Sequence, residues 1–263
     1  MENAFNNLAA TYDKEFTFTP TGILQRKQVL SYLQKQIIDK KSLNILELNC
    51  GTGEDAVQLA KWGHRIVATD GSKEMIRIAK TKNETPEGLP PLFRELAFDK
   101  ICRENFEEQF DLVFSNFGGL NCINKDELET LFLHLIPLLK PGGRFIGVVM
   151  PRYCLWEIIY FAYKGRWKEC FRRSRKGLVS AYIQGHPLNI WYYSPRQILN
   201  LASGYHAVTV KPIGFILPPS YLDNFFQNKR GLLKILLGIE RIAFHIPSLS
   251  ACSDHFLFDM ELG

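Results

Sequence analysis

Residues 44–150 alternate between short apolar runs and stretches with a helical period. Each apolar run is too short for a helix and long enough for one buried strand. The predicted strands are 45–48, 65–70, 92–96, 110–114 and 144–150. Elsewhere apolar residues recur every three or four positions, which predicts helices over 23–38, 54–62, 72–82 and 126–139. Strands that alternate with helices predict a parallel sheet covered on both faces.

The pattern changes after Pro151. Helical segments are predicted near 153–163 and 165–175, followed by β-like runs at 178–183 and 189–193. The rest of the chain predicts, in order, a helix at 195–202, a strand at 207–217, a mainly helical stretch at 221–244 and a strand at 255–262. The last two strands would complete a seven-stranded sheet. We therefore expect one α/β domain with a mostly parallel sheet, helices on both faces and a lid inserted after the fifth strand.

The stretch 44–56, Asn-Ile-Leu-Glu-Leu-Asn-Cys-Gly-Thr-Gly-Glu-Asp-Ala, passes from a strand through glycines into a helix. Such a turn places backbone N–H groups and a helix N-terminus against a ligand. It matches the G-x-G-x-x-A pattern of dinucleotide sites. However, Glu54 and Asp55 begin the helix where a pyrophosphate would bind, and their charges would repel it. The Lys-Ser/Thr pair of a mononucleotide P-loop is also missing.

S-adenosylmethionine carries a positive centre and no phosphate, so it fits these charges better. Glu47, at the end of the first strand, is expected to face its amino group or sulfonium. Asp70 follows about 20 residues later, where an acid that binds ribose hydroxyls is expected. The alternatives are a surface acid at Glu47 and a helix N-cap at Asp70, although Ser72 is placed to cap that helix instead.

Four segments resemble, in order and spacing, the motifs of class I S-adenosylmethionine-dependent methyltransferases: 45–53, 67–75, 110–114 and 138–145. Residues 5–13 also resemble the start of the ubiquinone/menaquinone-type small-molecule enzymes, in which a Tyr-Asp segment lies over the cofactor. The resemblance implies a Rossmann-like fold. It also implies a division of the single domain into a helical cap (1–43), a cofactor-binding core (44–150), a lid or substrate insertion (151–193) and a C-terminal completion of the sheet (194–263).

The resemblance further implies a cofactor site built from the ends of the strands and the N-terminal segment. The expected cofactor-binding residues are Tyr12, Glu47, Asn49, Gly51, Gly53, Asp70, Gly71, Ser72, Met75, Phe98, Asp99, Ser115, Asn116 and Phe117. Asn49 departs from the family, which usually has a glycine there. Asn tolerates a positive φ better than most residues, so we expect binding to survive.

The methyl acceptor is less clearly indicated than the donor. An oxygen or nitrogen acceptor needs a base, usually a histidine, whereas an activated carbon needs little more than orientation. The run 186–193, His-Pro-Leu-Asn-Ile-Trp-Tyr-Tyr, mixes polar and aromatic groups and could form an acceptor wall, with His186 or Tyr193 as the base. A structural role for His186 remains equally open, and His255 is interpreted as structural. The aromatic residues of 151–193 favour a small, aromatic or lipophilic acceptor.

The composition limits which classes of binding partner are expected. The net charge of +5 is modest and the basic residues cluster late in the chain, so nucleic acid is not expected. The apolar and basic segment 229–246 could lie on an anionic membrane surface, but covering the sheet or lid is favoured. Six scattered cysteines with no metal-type spacing and an N-terminus without a signal-peptide pattern indicate a cytoplasmic protein without a bound metal.

Two other functions stay open from the sequence. The chain could bind S-adenosylmethionine without transferring its methyl group, as a regulatory or assembly subunit. It could also be an NAD(P)-dependent oxidoreductase, which the weak dinucleotide match alone supports. Neither the acceptor nor the oligomeric state follows from the sequence.

Overall fold

The computed structural model describes residues 2–82, 89–175, 177–183, 186–219 and 229–263. Its helices are α1 (Glu2–Tyr12), α2 (Pro20–Ile37), α3 (Glu54–Lys61), α4 (Lys73–Thr81), α5 (Lys125–Leu135), α6 (Leu155–Tyr163), α7 (Pro195–Leu201) and α8 (Arg230–Ala243). Its strands are β1 (Asn44–Leu48), β2 (Arg65–Asp70), β3 (Leu92–Glu95), β4 (Phe110–Ser115), β5 (Leu139–Val149), β6 (Val179–Ile183), β7 (His186–Ile190), β8 (Tyr205–Ile213) and β9 (His255–Leu262). A π-helical turn, Asp13–Thr17, continues α1.

Seven strands form one sheet in the order β3-β2-β1-β4-β5-β9-β8. The first five strands in this order, β3, β2, β1, β4 and β5, pair in parallel. β9 is antiparallel to both β5 and β8. The prediction of a seven-stranded, mostly parallel sheet is therefore confirmed. The strand order reverses between β1 and β4, and ligands of such sheets bind beyond the carboxyl ends of the strands at that point.

Hydrophobic residues fill both faces of the sheet. Leu46 and Val113 belong to one buried cluster, and their neighbours Ile45 and Leu112 belong to the other. Successive residues of a strand point to opposite faces, so the two clusters are the two layers between sheet and helices. This explains why the central strands read as continuous apolar runs.

The Lys-Pro-Gly-Gly segment after α5 differs from its prediction. α5 ends at Leu135 and a short 3₁₀ turn follows, and β5 then begins at Leu139, before the segment. Leu139 pairs with Phe110 and Arg144 pairs with Leu112, with an irregular register between them. The proline and glycines therefore form a bulge inside the strand, where a residue without an N–H is tolerated.

The region from 151 to 193 also differs in detail. Residues 165–175 contain two short 3₁₀ turns where a helix was predicted. β6 and β7 form a separate antiparallel pair, and β7 begins at His186 instead of position 189. The first part of the helical stretch predicted at 221–244, residues 221–228, lies outside the described residues, and α8 accounts for most of the rest. Among the described residues, no helix is both long and apolar enough to cross a membrane.

Candidate active site

A cavity of about 1190 Å³ opens at the carboxyl ends of β1, β2 and β4. The sequence predicted a ligand site at this edge, and twelve of the fourteen expected cofactor-binding residues line the cavity. These twelve are Tyr12, Glu47, Asn49, Gly51, Asp70, Gly71, Ser72, Met75, Phe98, Asp99, Asn116 and Phe117. The sheet topology thus brings together residues that are up to about a hundred positions apart in the sequence.

The loop after β1 contains three residues with positive φ: Asn49 (45°), Gly51 (54°) and Gly53 (80°). Asn49 therefore adopts the backbone that a glycine usually provides. Its side chain donates to the backbone oxygen of Asn116 at 2.8 Å and accepts from the Ser115 hydroxyl at 2.5 Å. These bonds join the loop to the end of β4. Asn49, which stands where the family usually has a glycine, thus connects two walls of the cavity through its side chain.

Glu47 is 2% exposed, and its Oε2 atom has no hydrogen-bond partner. Burial raises the pKa of this carboxyl well above its usual range, and the neighbouring Asp55 and Asp70 raise it further, whereas Arg26 opposes them. An unpartnered buried carboxylate is costly, because it has lost its hydration without gaining a donor. Glu47 is therefore suited to a ligand that brings a positive charge or N–H groups.

Asp70 connects the glycine loop to α4. One carboxylate oxygen accepts from the N–H of Gly51 at 2.9 Å and the other from the N–H of Ser72 at 2.8 Å. Burial raises the pKa of Asp70, and these two bonds reduce the shift. Ser72, as expected, caps α4 by accepting from the N–H of Met75. Each Asp70 oxygen keeps a second lone pair, so a ribose diol can still donate to it.

The N-terminal segment closes one side of the cavity. Burial raises the pKa of Tyr12 to about 12, so the phenol stays neutral at physiological pH. Asn6 accepts from the Ser72 hydroxyl at 2.6 Å, and Asp13 is held by Lys82 and by the Thr52 hydroxyl at 2.6 Å. These contacts connect α1 and the π turn to the glycine loop and to α4.

An ion pair that the sequence did not predict joins α2 to the first turn of α3. Arg26 contacts Asp55 at 2.6 Å, and Asp55 accepts from the side chain of Asn116 at 2.8 Å. The guanidinium also lies 5.5 Å from the ring centre of Phe117, which has a positive φ of 43°. A charged residue on the inner face of α2 was the available signal. These contacts fix the ring of Phe117, which lines the cavity.

Buried ion pairs form the far wall of the cavity. Glu157 accepts from Arg172 at 2.7 and 2.8 Å and from Arg173 at 2.7 Å. Arg173 also donates to Asp254 at 2.9 Å and lies over the ring of Tyr192. Two cations and two carboxylates balance each other in charge. The wall therefore combines charged groups with the aromatic surface that the sequence predicted.

His255 lines the cavity beside this wall, although the sequence suggested a structural role. Its Nδ1 lies 3.2 Å from Oδ2 of Asp254, and its ring packs edge-on against Phe117 at 5.4 Å between centres. Burial opposes ionisation of Asp254, but His255 and Arg173 hold its pKa well below the usual range. Among the described residues Nδ1 has no hydrogen-bond partner, so Asp254 acts on the ring through its charge, and Nε2 is the ring nitrogen that can meet another partner. The position of His255 depends on β9 pairing with β5, the strand next to β4, which no local motif reveals.

Three of the described residues singled out in the sequence, Gly53, Ser115 and Tyr193, are not among those that line the cavity. Gly53 packs against Phe93, and Ser115 bonds to Asn49 behind the cavity surface. Tyr193 is buried, and its hydroxyl donates to the backbone oxygen of Ile123 at 2.5 Å, so the structure does not bring this base candidate to the site. His186 is the first residue of β7, but its side chain lies outside the described part of the chain.

Comparison with known proteins indicates the same class of protein that the sequence motifs resemble. Residues 45–143 match the family described as a methyltransferase domain. The chain is 32% identical to a malonyl-[acyl-carrier protein] O-methyltransferase of Bacillus cereus, over 51% of this chain and 48% of that protein. It is 28% identical to a demethylmenaquinone methyltransferase of Chlorobaculum tepidum, over 62% of this chain and 65% of that protein. The chain thus covers less than two thirds of the length of either relative.

Solved structures show the same fold. The DhpI-SAH complex superposes with a TM-score of 0.62 at 18% identity, covering 99% of this chain and 94% of that one. A methyltransferase from Clostridium acetobutylicum gives a TM-score of 0.59 at 16% identity, covering 99% and 100%. The matched domain contains the glycine loop and the acids of β1 and β2. The matched domain, the relatives and the shared fold all support a class I S-adenosylmethionine-dependent methyltransferase.

Proposed function

We propose that this protein transfers a methyl group from S-adenosylmethionine to a small-molecule acceptor. The observation that carries the proposal is the buried carboxylate of Glu47, which lines the cavity with one oxygen unpartnered. That oxygen fits the amino group or sulfonium of the cofactor. The positive-φ loop at Asn49 and Gly51 and the acid at Asp70 fit the carboxylate and the ribose.

When bound, the cofactor supplies an electrophilic methyl group. The protein then has to orient the acceptor and exclude water. We propose that His255 takes the proton of an acceptor O–H or N–H on Nε2, while the carboxylate of Asp254, 3.2 Å from Nδ1, stabilises the protonated ring by its charge. The edge-on contact between His255 and Phe117 supports this role, because Phe117 borders the cofactor side. Asp254 acts as a positioning residue.

The expected acceptor is small, with an aromatic or lipophilic part and a polar group. Phe161, Leu188 and Ile190 supply apolar surface to the cavity, and the ion pairs of Glu157 and Arg173 supply the polar part of the wall. Two relatives are named for different acceptors, one for demethylmenaquinone and the other for malonyl-[acyl-carrier protein], so the names do not decide the acceptor of this chain. The unpaired cysteines of the described residues support a cytoplasmic location as part of the same proposal.

Glu47→Gln tests the carboxylate that carries the proposal. We expect the affinity for S-adenosylmethionine to fall about tenfold or more, because the amide keeps the shape and loses the charge. The wild-type affinity should also fall from neutral to mildly acidic pH, since the raised pKa of Glu47 allows its protonation there and the ligand favours the ionised form. The variant should lose this part of the pH dependence. Calorimetry over this pH range measures both effects, and unchanged affinity would contradict the assignment.

Asp70→Asn tests the ribose site. We expect the affinity for S-adenosylhomocysteine to fall about 10- to 100-fold, because hydrogen bonds to a charged group are lost. Glu95→Gln is the matched control, since Glu95 is an exposed acid at the carboxyl end of the next strand, β3. Calorimetric titration of both variants should show the loss only at Asp70. Equal affinities for the two variants would remove Asp70 from the site.

Turnover separates transfer from binding alone. The purified protein is incubated with cofactor labelled in its methyl group and a metabolite extract, and labelled products are identified by mass spectrometry. A labelled small molecule supports the proposal. Cofactor binding without any labelled product would favour a binding protein that lacks transfer activity.

A further inference from the structure

One face of α8 exposes aliphatic side chains to solvent. Leu232, Ile235, Ile239 and Ile242, which we call the aliphatic stripe, follow the spacing that places residues on one face of a helix. Ile235 is 63% exposed and Ile242 is 69% exposed. Contiguous exposed apolar rows of this kind are uncommon on protein surfaces, and where they occur they usually mark an interaction site.

The opposite face of α8 fixes the stripe in this outward direction. Leu233, Glu240 and Ala243 are buried. The two oxygens of Glu240 accept from four consecutive backbone N–H groups, those of residues 214–217, at 2.6–3.3 Å. Rotating the helix to bury the stripe would break all four bonds to a buried carboxylate. The helix therefore covers the protein with one face and presents the aliphatic stripe with another, instead of using its whole apolar surface for packing.

The charges beside the stripe have one sign. Lys234 and Arg241 are exposed and lie on the same side of the stripe at helical spacing. Glu240 is the only acidic residue between positions 229 and 246, and it is fully buried. The outward surface of α8 is thus aliphatic along its centre and positively charged along one edge.

α6 adds a second surface with the same character. Leu155, Ile159 and Tyr163 are spaced by four residues and exposed, with Tyr163 86% exposed, and Trp167 follows at 70%. Lys164, Arg166 and Lys168 are exposed around them. The indole N–H of Trp156 on α6 donates to the backbone oxygen of Ile216, inside the segment that Glu240 holds. Both helices are therefore anchored to one short segment of the chain.

We propose that the aliphatic stripe of α8 and the exposed face of α6 form a docking surface for an anionic lipid bilayer. A helix that combines an apolar face with basic residues binds at the interface of such a membrane, where apolar burial and attraction to acidic headgroups act together. Tyr163 and Trp167 carry a polar group on a large apolar ring, which suits them to the headgroup level.

The charges favour a lipid over a second copy of this chain. A symmetric dimer through the stripe would bring Lys234 and Arg241 of the two copies close to each other, with no exposed acid on α8 to compensate them. An anionic bilayer neutralises the same groups. Because α6 also lines the cavity through Glu157, Tyr160 and Phe161, docking would hold that wall of the cavity next to the membrane.

Vesicle co-sedimentation of the full chain tests the proposal. The wild-type protein should bind vesicles of phosphatidylcholine with phosphatidylglycerol and bind pure phosphatidylcholine weakly, with binding reduced by added salt. Ile235→Gln/Ile239→Gln should lower the partition coefficient about tenfold or more, since the variant loses two aliphatic side chains that would insert into the bilayer. Lys234→Gln/Arg241→Gln should lower it by a similar factor on anionic vesicles and leave the weak binding to phosphatidylcholine unchanged.

Leu133→Gln is the matched control, because Leu133 is an equally apolar, exposed residue on α5, outside the docking surface. It should bind anionic vesicles as the wild type does. Thermal unfolding and S-adenosylhomocysteine binding of each variant report on folding and on the cofactor site independently of lipid. No binding of wild-type protein to anionic vesicles, or equal binding of all variants, overturns the proposal. Sedimentation equilibrium that shows a dimer dissociated by the stripe substitutions, without vesicle binding, would assign the surface to a second copy instead.

Discussion

Replacing Arg173 with methionine is expected to lower the free energy of unfolding by about 3–5 kcal/mol, the range for breaking a buried ion pair on one side. Arg173 is 5% exposed and contacts both Glu157, at 2.7 Å, and Asp254, at 2.9 Å. Methionine has a similar length but donates no hydrogen bond. Asp254 would lose a cationic partner while it remains buried, and Glu157 would keep only Arg172.

Chemical denaturation at neutral pH measures this loss. Arg166→Met is the matched control, since Arg166 pairs with Glu169 on the exposed surface, where such pairs contribute about 0–1 kcal/mol. The double variant Glu157→Gln/Arg173→Met should regain part of the stability, because it no longer buries the Glu157 charge. A loss for Arg173→Met no larger than that of Arg166→Met would show that the cluster does not stabilise the fold.

Acid should weaken the same cluster. Burial alone would raise the pKa of Glu157 and Asp254, but the paired cations lower both values below the usual range. Their contribution to stability is therefore complete above the pKa of unfolded carboxyls and is lost as the pH falls through the lowered folded values. The difference in stability between wild type and Arg173→Met should narrow over that acidic range.

Replacing His255 with glutamine is expected to lower the rate of methyl transfer about 10²- to 10⁴-fold, the range for loss of a general base. Glutamine keeps a polar side chain of similar size but does not accept a proton at neutral pH. The loss should appear in kcat with the acceptor identified from the labelled extract. The affinity for S-adenosylhomocysteine should change little, because His255 contacts the proposed cofactor side only through the edge of the Phe117 ring, and none of its described contacts reaches Glu47, the glycine loop or Asp70.

His206→Gln is the control for this substitution, since His206 is exposed on β8 and does not line the cavity among the described residues. It should transfer methyl groups at the wild-type rate. A His255→Gln variant with normal kcat would mean that another group takes the proton, or that the acceptor is a carbon that needs little base catalysis.

The regular part of the fold was readable from the sequence because its signals are local. The strand at 45–48 and the strand at 255–262 were predicted at nearly their observed positions, and the order of strands and helices gave the sheet. The Pro-Gly-Gly segment was misread because a bulge depends on the neighbouring strand, here β4, which accepts the irregular register. The base candidate Tyr193 was misread for a related reason, since its hydroxyl is used by a backbone oxygen 70 positions away.

By itself, the sequence determined which residues meet at the edge of the sheet where we propose that the cofactor binds. Glu47, the glycine loop and Asp70 follow buried strands directly, and residues at the carboxyl ends of adjacent parallel strands must meet at one edge. Only the tertiary structure decided which residues face the part of the cavity where we propose that the acceptor binds. Arg173 and His255 reach the cavity from segments that share no motif and are joined through Asp254, and the outward direction of the aliphatic stripe depends on the bonds of Glu240 to a distant loop. Contacts between residues far apart in the chain leave no periodic signal, because each is set by packing against the whole fold.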